Sequence, residues 1–343
     1  MDKLYDRNLF GLFLQYFEIC EIIMLMRRDK YILNFAIKNK WCISNLDSKT
    51  IHWIKFGFIK NIETLDMSLS TMKQVPEELM NLRKLYCNDS DVNYIPEELI
   101  NLEYLDCELT KLKFIPKTLK KLRELNCRYA YVNYIPKELI NLKILNCDTS
   151  QIKYIPEELV NLRVLVCRST SIKYIPKELI NLRKLDCSHT KIKEIPKELV
   201  NLRVLMCGST SIKYIPKELV NLEYLDFEST KIKEIPEELI NLRELNCSFS
   251  QIKYIPKELV NLRLLHCLKT RMKKIPKELV NLKHLICSYT EITEIPKELI
   301  NLEYLICSTK VEIIPKELIN LKDLNSNLIS VYKKDEEGNI LLN

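Results

Sequence analysis

The sequence predicts an α/β solenoid, and three observations carry that prediction. First, all thirteen prolines share one register, at 76, 96, 116, 136, 156, 176, 196, 216, 236, 256, 276, 296 and 315. Twenty residues separate neighbours until the last step of 19, which leaves one residue missing near Thr309. A fixed short period marks a stack of supersecondary units, none of which buries its apolar face alone. Second, strand spacing alternates with helical spacing inside each unit. Third, a cysteine returns with nearly every leucine pair.

The elements of a unit follow in order. In Leu182–Cys187, Leu185 and Cys187 stand two apart, the spacing of a strand. In Ile195–Leu202, Ile195, Leu199 and Leu202 stand four and three apart, the spacing of a helical turn. Pro196 suits the first helical position, where its missing N–H costs nothing. Asn201 suits the left-handed residue that ends such a turn. Each unit therefore reads as strand, turn and short helical turn.

The pattern LxxLxCxxTxIxxIPxEL resembles the leucine-rich repeat, LxxLxLxxNxL. The match runs from about Ile62 to Val331, with strand leucines from Leu65, Leu85 and Leu105 to Leu305 and Leu324. The resemblance implies a right-handed horseshoe with a concave parallel sheet and the helical turns on its convex side. The family's asparagine after the strand is here Thr or Ser, as at Thr170, Thr190, Thr210, Thr230 and Ser250. A hydroxyl bonds backbone with a single donor, so the loop ladder is expected to be weaker. The unit around Lys120–Ala130 is irregular, with Thr118, Lys121 and Ala130 off the pattern.

Cys87, Cys107, Cys127, Cys147, Cys167, Cys187, Cys207, Cys247, Cys267, Cys287 and Cys307 occupy one inward strand position. Phe227 fills it once, and Met67 begins it. They read as small core residues in a stacked column. No CxxC pair exists for a metal, and stacked thiols suit a reducing compartment. No metal and no cofactor are expected.

Binding is expected on the concave strand positions. The outward column begins with Asp66, Tyr86 and Asp106 and ends with His266, Ile286 and Ile306, moving from acidic to apolar. Leu264, His266, Leu268, His284, Ile286, Tyr289, Tyr304 and Ile306 are expected to project from adjacent strands as a partner-binding group, unless a tail covers them. Ile144, Val164, Val166, Val204 and Met206 form a smaller group, broken by Lys184 and Asp186.

The other face carries Lys153, Lys173, Lys193, Lys213, Lys233, Lys253 and Lys273 beside Tyr94, Tyr134, Tyr154, Tyr174, Tyr214 and Tyr254. Basic residues interleaved with aromatics can follow a nucleic-acid backbone. Glutamates such as Glu138, Glu158 and Glu178 recur beside them, so a solvated face is the favoured reading. The net charge of +7 on a surface dense in both signs also speaks against a nucleic-acid binder.

Residues 1–60 lack the repeat and are expected to be a helical N-terminal cap or a degenerate F-box-like region. The run Leu9–Met26 is interrupted by Glu18 and Glu21, so neither a signal peptide nor a membrane span is expected. The stretch resembles an F-box, with Glu21, Ile22, Ile23, Leu25 and Lys30 in the family positions. The opening Leu-Pro is absent, and Arg27 and Arg28 replace apolar residues. That resemblance implies a substrate receptor of a cullin ubiquitin ligase, with Leu9, Phe13, Phe17, Ile22, Ile23 and Leu25 binding the adaptor. Residues 61–331 are the repeats, about 14 units, and 332–343 a capping tail that turns at Glu337-Gly338-Asn339 and closes the sheet edge.

No catalytic constellation stands out. None of the four histidines sits in HExxH, and four glycines cannot build a phosphate-cradling loop. The chain reads as a non-enzymatic protein-binding scaffold of the cytoplasm without membrane attachment. Its composition and repeat style are similar to those of leucine-rich repeat proteins of giant amoeba-infecting viruses, which would place it in host cytoplasm.

Overall fold

The computed structural model describes residues 42–44, 62–307, 310–326 and 332–342. The chain divides into two compact units, Met1–Val132 and Asn133–Asn343. The first holds β1 (Cys42–Ser44), β2 (Thr64–Asp66), β3 (Lys84–Tyr86), β4 (Tyr104–Asp106) and β5 (Glu124–Asn126), paired in parallel in chain order. The second holds β6 (Ile144–Asn146), β7 (Val164–Val166), β8 (Lys184–Asp186), β9 (Val204–Met206), β10 (Tyr224–Asp226), β11 (Glu244–Asn246), β12 (Leu264–His266), β13 (His284–Ile286) and β14 (Tyr304–Cys307). They too pair in parallel and in order, and Leu165 faces Leu185 as Leu205 faces Leu225. After β15 (Ile313–Ile314) the sheet adds β16 (Asp323–Ser326), with Leu305 opposite Leu324, which absorbs the 19-residue step.

Each turn of the coil sends six side chains inward. In one turn these are Leu162, Leu165, Cys167, Ile172, Ile175 and Leu179, all buried. Each aliphatic side chain removed from water contributes about 1.5–3 kcal/mol. No turn encloses its own core, so the next turn supplies the other wall. Met67 and Phe227 are fully buried in the cysteine column, as expected.

The helical turns are not there: among the described residues no helix occurs. Two successive β-turns replace each of them. Leu199 N–H bonds the Pro196 carbonyl at 3.3 Å, and Leu202 N–H bonds the Leu199 carbonyl at 3.0 Å. Spacings of four and three aim Ile195, Leu199 and Leu202 inward in either geometry. The segment is shorter than the run that stabilises a helix nucleus, and the coil bends back first. Asn201 is not left-handed either. Its side-chain amide donates to the Ile180 carbonyl of the preceding turn at 2.9 Å, and Asn221 and Asn241 repeat this toward Val200 and Val220. The inter-turn asparagine ladder thus lies on this arm. The Thr and Ser after the strand bond within their own turn, as Thr210 Oγ1 does to the Cys207 carbonyl at 2.7 Å.

Among the described residues the left-handed residue lies elsewhere, two positions past the inward residue of the cysteine column. Thr149, Ser169, His189, Ser209, Ser229, Phe249, Lys269 and Tyr289 in the second unit all have φ between 52° and 58°. The conformation turns the chain out of the strand and directs the N–H to the next turn, as from Ser209 to the Glu228 carbonyl at 2.8 Å. Left-handed geometry costs a residue with a Cβ roughly 1–2 kcal/mol. The substitution Ser209→Gly is therefore expected to stabilise the protein by about 0.5–1 kcal/mol, after allowing for glycine's larger unfolded-state entropy. Urea unfolding checks this, and a lower midpoint would contradict it.

Of the expected helical cap, only Cys42–Ser44 lies among the described residues. It is a strand that extends the sheet from β2. The adaptor-binding residues Leu9, Phe13, Phe17, Ile22, Ile23 and Leu25 lie outside the described residues. At the other end β17 (Tyr332–Lys334) and β18 (Ile340–Leu342) form an antiparallel hairpin. Gly338 takes φ 92° in its turn, where a Cβ would be strained. The Asp335 carboxylate accepts the Glu337 and Asn339 N–H groups at 3.0 and 2.8 Å, and the Asn339 side-chain amide bonds hold it below the usual carboxylate range. The hairpin does not close the parallel sheet: β18 pairs with β15 on the return arm.

Candidate protein-binding face

The middle leucine of each strand points inward, so its two neighbours point outward. Register then sets which outward residues meet. Leu264, His284 and Tyr304 form one row, and His266, Ile286 and Ile306 the next. Six of the eight expected partner residues thus share one patch on β12–β14. His284 and Tyr304 stack with ring centroids 5.9 Å apart. Burial pushes the His266 imidazole below its usual range, and Asp226 opposes the shift.

Leu268 and Tyr289 do not project from strands, contrary to expectation. Leu268 follows Cys267 in the loop, where its carbonyl accepts the Phe249 N–H at 2.7 Å. Tyr289 holds the left-handed corner and is 63% exposed. There it meets residues that sequence reasoning missed. Lys269 Nζ lies 5.4 Å from the Phe249 ring centroid and 5.9 Å from that of Tyr289. Their signal in the sequence is a shared offset of two from successive cysteines. On the strands' other flank Lys283 and Lys322 bond Glu303 at 2.9 and 2.7 Å and hold its carboxyl down to about 2. An apolar centre with a polar rim is the composition of a recognition surface.

The smaller group aligns as expected. Ile144, Val164, Lys184 and Val204 form one row, and Val166, Asp186 and Met206 belong to the other. Asp186 is buried, with Arg168 Nε 3.8 Å from its carboxylate, so a charge interrupts the apolar surface.

Half a coil from the strands, Tyr134, Tyr154, Tyr174 and Tyr214 line an open groove of about 1300 Å³ floored by Ile and Pro. Its rim is net acidic, with Glu157, Glu158, Glu194 and other glutamates outnumbering its lysines. Lys137 approaches Glu158 at 3.8 Å, and Lys217 approaches Glu238, outside the groove, at 4.0 Å. Among the described residues no three His, Cys, Asp or Glu side chains group as a metal site, and no helix is long and apolar enough to cross a membrane.

A parallel β-solenoid of 20-residue turns, with leucine and cysteine inside and variable residues on the strands' outward positions, is the leucine-rich repeat architecture. Among solved structures the chain is similar to a leucine-rich repeat protein of Leptospira interrogans, at TM-score 0.67 and 26% identity, with 77% of this chain and 75% of that one covered. It is also similar to the functional domain of InlJ from Listeria monocytogenes, which includes a cysteine ladder, at TM-score 0.62 and 24% identity over 75% and 69% of the two chains. A plant peptide hormone receptor, RGFR1 in complex with RGF2, shares the fold at TM-score 0.57 and 22% identity over 80% of this chain and 60% of its own. No protein-family profile and no curated protein matches the chain.

Proposed function

We propose that the protein is a non-enzymatic scaffold that binds a protein partner on the outward face of β12–β14. The observation that carries this reading is the register that merges Leu264, His266, His284, Ile286, Tyr304 and Ile306 into one apolar and aromatic surface. The described part of the tail pairs with Ile313–Ile314 on the return arm. Leu268 and Tyr289 extend the surface over its loop edge. The fold's occurrence in a receptor solved in complex with RGF2 supports a binding role. The buried thiol column favours a reducing compartment such as the cytoplasm.

The test is affinity capture compared between wild type and an Ile286→Glu, Ile306→Glu variant, with Tyr174→Glu as a control on the other arm. A partner kept by wild type and control but reduced at least tenfold by the double variant is the expected result. Equal retention by all three chains would contradict it. All three must show the same circular dichroism.

The ubiquitin-ligase reading rests on the F-box resemblance of residues 9–30 and belongs to the same scaffold. Deletion of residues 1–42 is expected to release a cullin-ligase adaptor if that reading holds, while partners of the sheet face stay bound. A nucleic-acid reading rests on the Lys and Tyr rows. The glutamates that pair with the groove's lysines argue against it.

A further inference from the structure

One polar motif occurs in both units, and only its first copy includes an arginine. In the first unit the Asn126 side-chain amide donates to Asp106 Oδ1 at 3.1 Å and to Glu108 Oε2 at 3.0 Å. The Arg128 guanidinium completes it, 3.4 Å from Glu108 Oε1 and 4.7 Å from the centroid of the Tyr129 ring. In the second unit, Asn246 bridges Asp226 Oδ2 at 3.2 Å and Glu228 Oε2 at 3.1 Å in the same way. Here Ser248 stands in place of Arg128, and Phe249 in place of Tyr129. The turn before Glu228 contributes Gly208, so neither flank offers a long side chain. Among the described residues no Lys or Arg forms an ion pair with Asp226, Glu228 or Glu244, and the nearby Arg203 goes to Glu223 at 3.2 Å.

We propose that Asp226, Glu228 and Asn246, with the Phe249 ring, form a cradle for the guanidinium of an arginine on the partner. The inference deepens the protein-binding reading above and rests on it. The first unit shows the group that the motif takes when the chain supplies it. A guanidinium matches the cradle because its planar fork reaches a carboxylate while its face lies on a ring. Lys269 already holds a cation near the Phe249 ring, yet forms no ion pair with Asp226 or Glu228. Glu244, beside Tyr224 in the strand register, adds a further negative charge at the edge of the cradle.

The position fixes the rest of the recognised segment. Asp226 lies three strands from Ile286, roughly 14 Å at the usual strand separation. An extended chain crosses that distance in about four residues. The partner therefore carries an arginine with apolar residues three to five positions away.

The probe is the acetylated, amidated hexapeptide Arg-Ser-Ser-Leu-Ile-Leu, made in both sequence orders and titrated into the full chain by calorimetry. Analogues replace the arginine with citrulline, which keeps the shape without the charge, or with lysine. The expected result is that citrulline weakens binding about tenfold or more, lysine weakens it severalfold, and Glu228→Gln in the protein matches the citrulline loss. Ser248→Arg should fill the cradle from within and abolish the preference for arginine over citrulline, with folding unchanged by circular dichroism. Equal affinity for arginine and citrulline, lost on Ile286→Glu, would overturn the cradle while leaving the apolar face standing. An arginine preference that Glu228→Gln removes and Ile286→Glu leaves intact would support the cradle and sink the apolar face. Equal binding of lysine, or no binding of either order at millimolar peptide, would overturn the assignment.

Discussion

Raising the pH from 8 to 10 is expected to destabilise the solenoid by more than any single substitution. Burial pushes the thiols of the cysteine column up, Cys307 to about 11 and Cys127 to about 12, and Cys107, Cys167, Cys207 and Cys267 well above the usual range. An unfolded thiol titrates near 8.5. Below that value both states hold the proton, and the stability linked to the thiols is fully present. Above it the unfolded chain releases protons that the folded chain keeps, so stability falls until the folded thiols titrate in turn. Each buried thiol lowers stability by about 1.4 kcal/mol per pH unit in that window. Several thiols in one cooperative block remove an amount comparable to the whole stability of a domain, about 5–15 kcal/mol. Urea midpoints at pH 7, 8, 9 and 10 check this. Lysine and tyrosine titrate mostly above that range. A midpoint constant from pH 8 to pH 10 would contradict the stacked thiol core.

The second large effect belongs to Phe227. It is the one aromatic residue in the cysteine column and is fully buried between β9 and β11. Phe227→Ala leaves a void that neighbouring turns fill only in part, and it is expected to cost about 3–5 kcal/mol. Phe227→Cys restores the column's usual residue and is expected to cost less, because sulfur occupies part of the space. Hydrogen exchange should report the loss first in the turns holding β9, β10 and β11, since each turn depends on its immediate neighbours. A loss under about 1 kcal/mol for the alanine variant would mean that the coil collapses around the site.

The parallel coil was legible because its signal is redundant. Leu185 and Cys187 recur in nearly every turn, so the strand spacing is repeated many times over. The return arm was misread because inward leucines at spacings of four and three satisfy a helical turn and a pair of β-turns alike. Backbone hydrogen bonds such as Leu202 to Leu199 decide between them, and no side chain announces them. The left-handed corner was hidden for the opposite reason. Ser209, Phe249, Lys269 and Tyr289 share a backbone conformation and no chemistry, and none is the glycine that usually marks it. The sequence does not say where a three-residue strand ends, so Leu268 and Tyr289 read as strand residues although they lie in the loops that follow. The cradle at Asp226, Glu228 and Asn246 became visible only when register placed residues 18 and 20 apart side by side.

Site-specific photocross-linking tests the binding face most directly. A benzophenone amino acid replaces Ile286 on the sheet face in one sample and Tyr174 on the return arm in another, and each folded protein is irradiated in cell lysate. A discrete cross-linked species is expected from position 286, absent from position 174 and suppressed by Ile306→Glu. A species formed equally from both positions, or from position 174 alone, would contradict it and move the partner away from the sheet.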